Sequence, residues 1–221
     1  MTKTESLRKR SAANEVYRQL RDEIVRGALR PNERIVEAEL AERLDVSRTP
    51  IREGLQRLAD HGLIVSRRRG WNVREHTAEE IVNTYQIRMA LEGMAARLAA
   101  ENADDALLDR LYALQHGTEE TRLAQASARE ELVRVNDEFH TAVYEAAANP
   151  QLLALIKSNR EFYFDYRIAG LYTDQEAAAS LRGHDRIMAA LRAGDGDEAE
   201  AATRDHLSEA LEVTLSKLHA L

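Results

Sequence analysis

Two short helical patterns joined by a tight turn lie near the start of the chain, and they constrain its fold more than any other feature. Residues 37–44 carry apolar side chains on one helical face, and Asp45 and Val46 make the turn. A second helical pattern follows from Ser47, a favoured N-cap residue, with Pro50 in its first turn, where a missing N–H costs little. The segment therefore predicts two helices in close succession.

A hairpin with a basic tip follows this pair of helices. Gly62 ends the second helix, and residues 63–65 and 71–73 are typical of two short strands. The connection between the strands contains three consecutive arginines, 67–69, followed by Gly70. Helix, turn, helix and basic hairpin in this order predict a winged helix-turn-helix.

The composition changes after residue 76. From there to the end the chain is rich in Ala, Leu and Glu with helical periodicity, and Thr77 to Glu80 has the pattern of a capping box. We therefore expect a mainly α protein in three parts. These are a flexible basic N-terminal segment (1–10), a winged helix-turn-helix domain (11–76) and an antiparallel α-helical bundle (77–221).

Charge divides the chain at the same place. Residues 1–75 contain 17 Lys and Arg against 12 Asp and Glu, a balance of +5, whereas the remainder has 14 against 26, a balance of −12. A basic N-terminal third on an acidic body is expected when one end of a protein meets a polyanion. The chain has no cysteine, no secretory signal pattern and no apolar run of about 18 residues, so we expect a cytoplasmic protein without disulfides or membrane-spanning helices.

The second helix of the predicted helix-turn-helix suits the major groove of DNA. Its apolar residues must face the core, which leaves Arg48 and Thr49 pointing outward, and Arg52 shares the face of Arg48. A guanidinium can donate to O6 and N7 of guanine, and a helix N-terminus can hold phosphate. The residues expected to contact double-stranded DNA are Ser47, Arg48, Thr49, Arg52, Arg67, Arg68, Arg69 and Gly70. The alternative is that the helix arginines are only solvated and pair with Asp45 or Glu53.

Three histidines of the helical part occupy comparable positions. His140, His184 and His206 each lie in a predicted helix with apolar residues three or four positions away. Three helices of one bundle can aim three imidazoles at a common point, and Asn136, one turn before His140, can add an oxygen. Such a donor set suits a divalent transition metal. The alternative is that the three histidines are unconnected and that the bundle only dimerises.

The N-terminal part resembles the GntR family of bacterial regulators. The resemblance covers residues 14–75 and is carried by Leu40–Glu53 and Leu58–Val65. Within the first segment the run Val-Ser-Arg-Thr-Pro-x-Arg-Glu is the most specific part. The resemblance implies that Arg48, Thr49 and Arg52 contact DNA and that the loop at Gly70 enters a groove. Ala38 stands where some members have a base-reading arginine, so the operator of those members is not expected to transfer.

The helical part resembles the ligand domain of the FadR-like branch of that family, the FCD domain. This resemblance covers residues 77–219 and is carried by Tyr85–Glu92, Asn136–Pro150 and His184–Asp195. It implies a divalent metal held by Asn136, His140, His184 and His206, with zinc as the expected ion and nickel or manganese as alternatives. The family often has Asp where this chain has Asn136, and Asp137 is a poorer substitute, so weakened metal binding is expected.

The same resemblance implies a ligand contact at Arg88. This residue is the arginine of a Tyr-x-x-Arg-x-x-x-Glu pattern, which in the family tends to hold the carboxylate of an effector. A planar guanidinium matches a carboxylate with two parallel hydrogen bonds. The alternative is a structural ion pair between Arg88 and Glu92, four residues later.

Together these features indicate a homodimeric transcription regulator, expected to be a repressor, that binds operator DNA and responds to a small organic acid bound near the metal. A two-fold dimer reading a near-palindrome multiplies the limited affinity of one winged helix. The alternative is a metal-dependent hydrolytic enzyme with an accessory nucleic-acid-binding domain, in which Asp137 or Glu138 acts as base. That alternative leaves the basic winged helix unexplained.

Overall fold

A computed structural model of the chain describes residues 3–25, 27–68, 70–116, 128–160 and 171–218. The chain divides into two compact units, Met1–His76 and Thr77–Leu221. Helices dominate both units, and a small three-stranded sheet lies in the first. The expected mainly α fold class is confirmed.

The first unit contains three helices and three short strands among its described residues. In chain order these are α1 (Lys3–Val25), β1 (Arg34–Ile35), α2 (Glu37–Arg43), α3 (Arg48–Asp60), β2 (Ile64–Arg67) and β3 (Gly70–Val73). Helix α1 begins at Lys3, inside the segment expected to be flexible, and the mobility of that segment stays a prediction.

The sheet has the order β1-β3-β2, and β3 pairs antiparallel with both neighbours. Ser66 lies opposite Trp71 in the β2–β3 hairpin, and Arg34 lies opposite Asn72 in the pairing with β1. The hairpin is the wing that the sequence pattern predicts.

A close helix crossing builds the core of this unit. Helix α3 packs against α1, and Leu20, Ile51 and Leu55 are fully buried between them and their neighbours. A Cβ atom on Gly54 would lie 2.7 Å from Cγ1 of Val16, which is closer than real carbon contacts. The missing side chain at Gly54 therefore lets the two helices approach.

The second unit is a bundle arranged around one long helix. Its helices are α4 (Ala78–Asn102), α5 (Asp105–His116), α6 (Ala128–Ala146), α7 (Pro150–Arg160), α8 (Asp174–Ala193) and α9 (Gly196–Lys217). Helix α4 packs against α6, α7, α8 and α9. Its buried Ala95, Ala96 and Ala99 are small enough to admit large neighbours such as Phe139 and Leu191.

Local signals explain where these helices begin and end. Thr77 and Thr173 open α4 and α8 with capping boxes, each exchanging hydrogen bonds with a glutamate three residues later. Gly194 ends α8 in the left-handed conformation, with φ 66°. Within the described residues, none of the helices combines the length and apolar character needed to cross a lipid bilayer.

Candidate functional sites

The first turn of α3 forms an exposed polar surface. Ser47 is the N-cap residue in extended conformation, and its side chain makes no capping hydrogen bond. Ser47, Arg48 and Thr49 are all exposed, while Pro50 and Ile51 behind them are buried. The helix start is thus anchored by its apolar side and exposes three of the eight residues expected to meet DNA.

Arg52 has a partner that sequence analysis missed. Its Nε lies 2.8 Å from Oε2 of Glu37, the first residue of α2, rather than pairing with Asp45 or Glu53 as the alternative interpretation proposed. The two residues are 15 positions apart, so no helical spacing signals the contact. The pair becomes visible only when the two helices of the motif are packed together.

The hairpin places part of its basic tip in solvent. Arg67 and Arg68 are exposed, and Arg69 lies outside the described residues. Gly70 has φ 134°, a conformation that a side chain would strain, and a Cβ there would lie 3.1 Å from the carbonyl oxygen of Ile35. The glycine is thus required by the backbone of the hairpin itself.

Three imidazoles converge in the second unit. His140 on α6, His184 on α8 and His206 on α9 have exposed fractions of 2%, 3% and 5%. One ring nitrogen from each lies within 4.8 Å of the others, and the Nε2 atoms of His140 and His206 are 3.2 Å apart. The expected spatial grouping of these three residues is therefore present in the structure.

An aromatic ring and a buried amide lie beside the histidine cluster. The ring of Phe139 stacks on His184 with centroids 4.1 Å apart. Asn136, one turn before His140, is buried, whereas Asp137 is exposed. The interior position thus belongs to the asparagine amide and not to the neighbouring carboxylate.

The electrostatic surroundings keep His206 neutral. Burial lowers the pKa of its imidazole to about 4, the positive charge of Arg88 acts in the same direction, and Glu92 opposes them. A neutral imidazole has a lone pair to offer a metal ion at neutral pH. Ligand nitrogens about 2.1 Å from one zinc ion lie up to about 4 Å apart, so this cluster is close to the size that one ion needs.

Arg88 lies in a buried ion pair beside this cluster. Its Nε is 2.8 Å from Oε1 of Glu92, and the hydroxyl of Tyr144 donates to the other carboxylate oxygen. Burial alone would lower the pKa of Arg88, but the charge and hydrogen bond of Glu92 outweigh it and raise the pKa. The structural ion pair that sequence analysis kept as an alternative does form, and the guanidinium is charged.

Two phenols complete the surroundings of Arg88, and sequence analysis missed their roles. The guanidinium carbon lies 4.6 Å from the ring centroid of Tyr85, whose hydroxyl is 3.1 Å from Oγ1 of Thr214. Burial and the nearby Tyr85 raise the pKa of Tyr172, while Arg88 lowers it. Tyr172 comes before α8 in a loop, where helical periodicity carries no signal.

Both units of the chain resemble known protein families. The family description "Bacterial regulatory proteins, gntR family" matches residues 12–73, and the FCD domain matches residues 83–209. The chain belongs to the GntR family. The first match lies within the unit Met1–His76 and the second within the unit Thr77–Leu221.

Curated relatives match across both domains. The chain is 31% identical over 195 residues to the HTH-type transcriptional regulator YdhC of Bacillus subtilis, covering 87% of this chain and 86% of the relative. It is 32% identical over 211 residues to the probable D-xylose utilization operon transcriptional repressor of Paenarthrobacter nicotinovorans, covering 93% and 92%. The protein is thus a transcription regulator, and the hydrolase alternative is not supported.

Solved structures agree with the fold. McbR/YncC of E. coli superposes with a TM-score of 0.71 at 25% identity, covering 95% of this chain and 97% of that one. A GntR transcriptional regulator from Rhodococcus sp. RHA1 superposes with a TM-score of 0.73 at 25% identity, covering 93% and 98%. Both alignments include residues of each of the two units.

Proposed function

We propose that this GntR regulator is a repressor whose operator affinity is set by a small carboxylate-containing effector, bound beside a divalent metal ion in the FCD domain. The observation that carries the proposal is the convergence of three buried imidazoles from α6, α8 and α9. Imidazole nitrogens are common ligands of divalent transition metals, and these three come from different helices to one buried point. A bound cation is the partner that suits three nitrogen donors.

The proposed DNA contacts lie on α3 and the hairpin. Arg48 and Thr49 project from the helix start, whose N–H groups can also hold a phosphate. Arg52 uses Nε for Glu37, which leaves its two terminal nitrogens as donors to a guanine edge. Further contacts to the backbone or the minor groove are assigned to the hairpin residues Arg67, Arg68, Arg69 and Gly70.

The proposed metal ligands are His140, His184 and His206, with Asn136 as a fourth donor from the same helix as His140. Zinc is the expected ion, with nickel or manganese as alternatives. When bound, such an ion would act as a Lewis acid that coordinates oxygen atoms of the effector. Because Asn136 brings no negative charge, we expect weaker binding than a site with aspartate at this position would give.

The proposed effector contact is Arg88, and its ion pair shapes what can bind. Glu92 already balances the charge of Arg88, so an effector carboxylate must share the guanidinium with it. A metal ion at the histidine cluster would add the positive charge that makes this sharing favourable. The hydroxyl of Tyr85 is engaged with Thr214, and the phenol of Tyr172 is a nearby donor for a further oxygen of the effector. Metal and effector should therefore bind cooperatively.

A homodimer is the proposed DNA-binding form, acting in the cytoplasm. Two copies related by a two-fold axis would read two half-sites. Ile87 and Met94, two turns apart on α4, are exposed and apolar, and we assign this strip of the FCD domain to the contact with a second copy. The oligomeric state of the Ile87→Lys, Met94→Lys double variant tests this, since a variant that remains as dimeric as the wild type contradicts the assignment.

Operator binding is tested by electrophoretic shift on the DNA upstream of the gene. Arg48→Ala should abolish the specific band, since one arginine–guanine contact contributes about 1–3 kcal/mol of discrimination. Arg110→Ala, which removes the same charge from an exposed site on α5, should leave the band in place. A specific band that survives Arg48→Ala would contradict the proposed interface.

Effector sensing is tested by a thermal-shift screen of small carboxylates with and without Zn²⁺. We expect a hit whose stabilisation depends on the metal and is lost in Arg88→Lys, which keeps the charge and removes the fork of donors. A hit that needs no metal, or one that Arg88→Lys leaves unchanged, contradicts the proposed site.

A further inference from the structure

We propose that Gly183 is a positioning residue for the metal ligand His206, and that its missing side chain is what allows the imidazole ring to reach the cluster. The inference rests on the proposed metal site. Gly183 lies on α8 directly before His184, another proposed ligand, whereas His206 lies on α9. Nothing in the local sequence connects Gly183 with His206.

The evidence is the space at Gly183. A Cβ atom there would lie 2.5 Å from Nδ1 of His206, 3.1 Å from its Cγ and 3.3 Å from its Cβ. The first of these distances is shorter than real Cβ contacts, and the obstacle is a ring rather than the end of a flexible chain. The imidazole is therefore packed directly against the backbone of α8.

The opposite edge of the same ring faces the cluster. Nε2 of His206 lies 3.2 Å from Nε2 of His140, so the ring fills the space between Gly183 and His140. His206 is 5% exposed, and the ring has little freedom to turn elsewhere. Any side chain at Gly183 would push the Nε2 atom out of its place beside the other two imidazoles.

Packing, and not a hydrogen bond, fixes the orientation of the His206 ring. The N–H group of the second ring nitrogen of a metal-ligating histidine usually donates a hydrogen bond to a carboxylate or carbonyl, which fixes the ring. Nδ1 of His206 is buried and has no hydrogen-bond partner among the residues that the structure describes. The direction of this ligand is thus set by the contact with Gly183.

The test compares two glycine-to-alanine changes in helices of the same bundle. Gly183→Ala should weaken Zn²⁺ binding about 10- to 100-fold, the usual range for loss of a ligand-orienting contact. Gly93→Ala is the control, because the atoms nearest to a Cβ on Gly93 belong to the long, flexible side chains of Arg204 and Glu200, from 3.2 Å outward. Both changes raise helix propensity equally. Zn²⁺ affinity is measured by chelator competition, and thermal unfolding of the metal-free forms is measured beside it.

A His206→Ala background separates positioning from a general effect on the fold. Once the ring is absent, only the Cβ of residue 206, at 3.3 Å, still faces the added methyl group. Adding Gly183→Ala should then leave the residual Zn²⁺ affinity unchanged, and should change the metal-free stability by no more than Gly93→Ala does. If Gly183→Ala alone misfolds, recovery of folding in this double variant supports the same contact. A further loss in the double variant would overturn the inference.

The remaining outcomes distinguish the inference from the function on which it rests. A wild type that takes up no Zn²⁺ refutes the metal site itself. If the wild type binds Zn²⁺ and Gly183→Ala binds it equally tightly, the metal site stands and the role of Gly183 is refuted.

Discussion

At the scale of single residues, burial decides what a charge can do. The pairs Arg88–Glu92 and Arg134–Glu138 have the same four-residue spacing and the same chemistry. The side chains of the first are 5% and 1% exposed, and those of the second are 51% and 41% exposed. Exposed pairs contribute little to stability, whereas breaking a buried pair leaves a charge without compensation.

This contrast gives the first prediction. Glu92→Gln should destabilise the FCD domain by about 3–5 kcal/mol, because it leaves the buried Arg88 guanidinium uncompensated and disturbs the hydrogen bond from Tyr144. Glu138→Gln should change the free energy of unfolding by less than about 1 kcal/mol. Urea unfolding of the two variants measures both, and similar losses would contradict the burial argument.

The second prediction concerns the neutral His206. Its folded-state pKa of about 4 lies below the ordinary value of 6.5, so the unfolded chain binds a proton first as the pH falls. The stability of the metal-free protein should therefore be unaffected by this group above pH 6.5 and should fall between pH 6.5 and 4, by up to about 3 kcal/mol.

Urea unfolding in the presence of a chelator, repeated across this pH range, checks the expected loss. His206→Gln cannot take up the proton and should remove that part of the slope. An equal slope in His206→Gln and wild type would show that other groups cause the acid sensitivity.

At the scale of elements, the close crossing of α1 and α3 holds in place the helix to which the main DNA contacts are assigned in the proposed function. Gly54 is where the two helices meet, with Val16 on the facing side. The sequence pattern does not predict this close approach, because helical periodicity indicates which residues are buried but not how near the neighbouring helix lies.

The third prediction follows from this crossing. Gly54→Ala should destabilise the DNA-binding domain by about 1–3 kcal/mol through overpacking and should weaken operator binding, since α3 must shift. Zn²⁺ uptake by the FCD domain should be unchanged. Val16→Ala in the same chain removes the Cγ1 atom that clashes and should restore part of the stability. Unfolding monitored by the fluorescence of Trp71, within the hairpin, reports on this domain.

At the scale of the whole molecule, control requires that the two domains be coupled in free energy. If Zn²⁺ changes operator affinity by some factor, operator DNA must change Zn²⁺ affinity by the same factor, because linkage is reciprocal. The equality holds whether Zn²⁺ strengthens or weakens operator binding.

The fourth prediction is that these two factors agree. Operator affinity is measured by fluorescence anisotropy with and without saturating Zn²⁺, and Zn²⁺ affinity by chelator competition with and without operator. His184→Ala should abolish both effects together. A change in operator affinity that persists in His184→Ala would place the zinc that causes it outside the histidine cluster.

Sequence alone determined the features that depend on a few neighbouring residues. The capping residue Thr77, the outward face of α3 at Arg48, and the helical positions of the three histidines could all be read from spacing, because helix hydrogen bonds and periodicity repeat within one or two turns. The tertiary structure alone decided that Glu37 holds Arg52, that Tyr144 shares Glu92 and that Gly183 makes room for His206. These contacts join separate elements, and their geometry depends on how side chains of different helices fill the space between them.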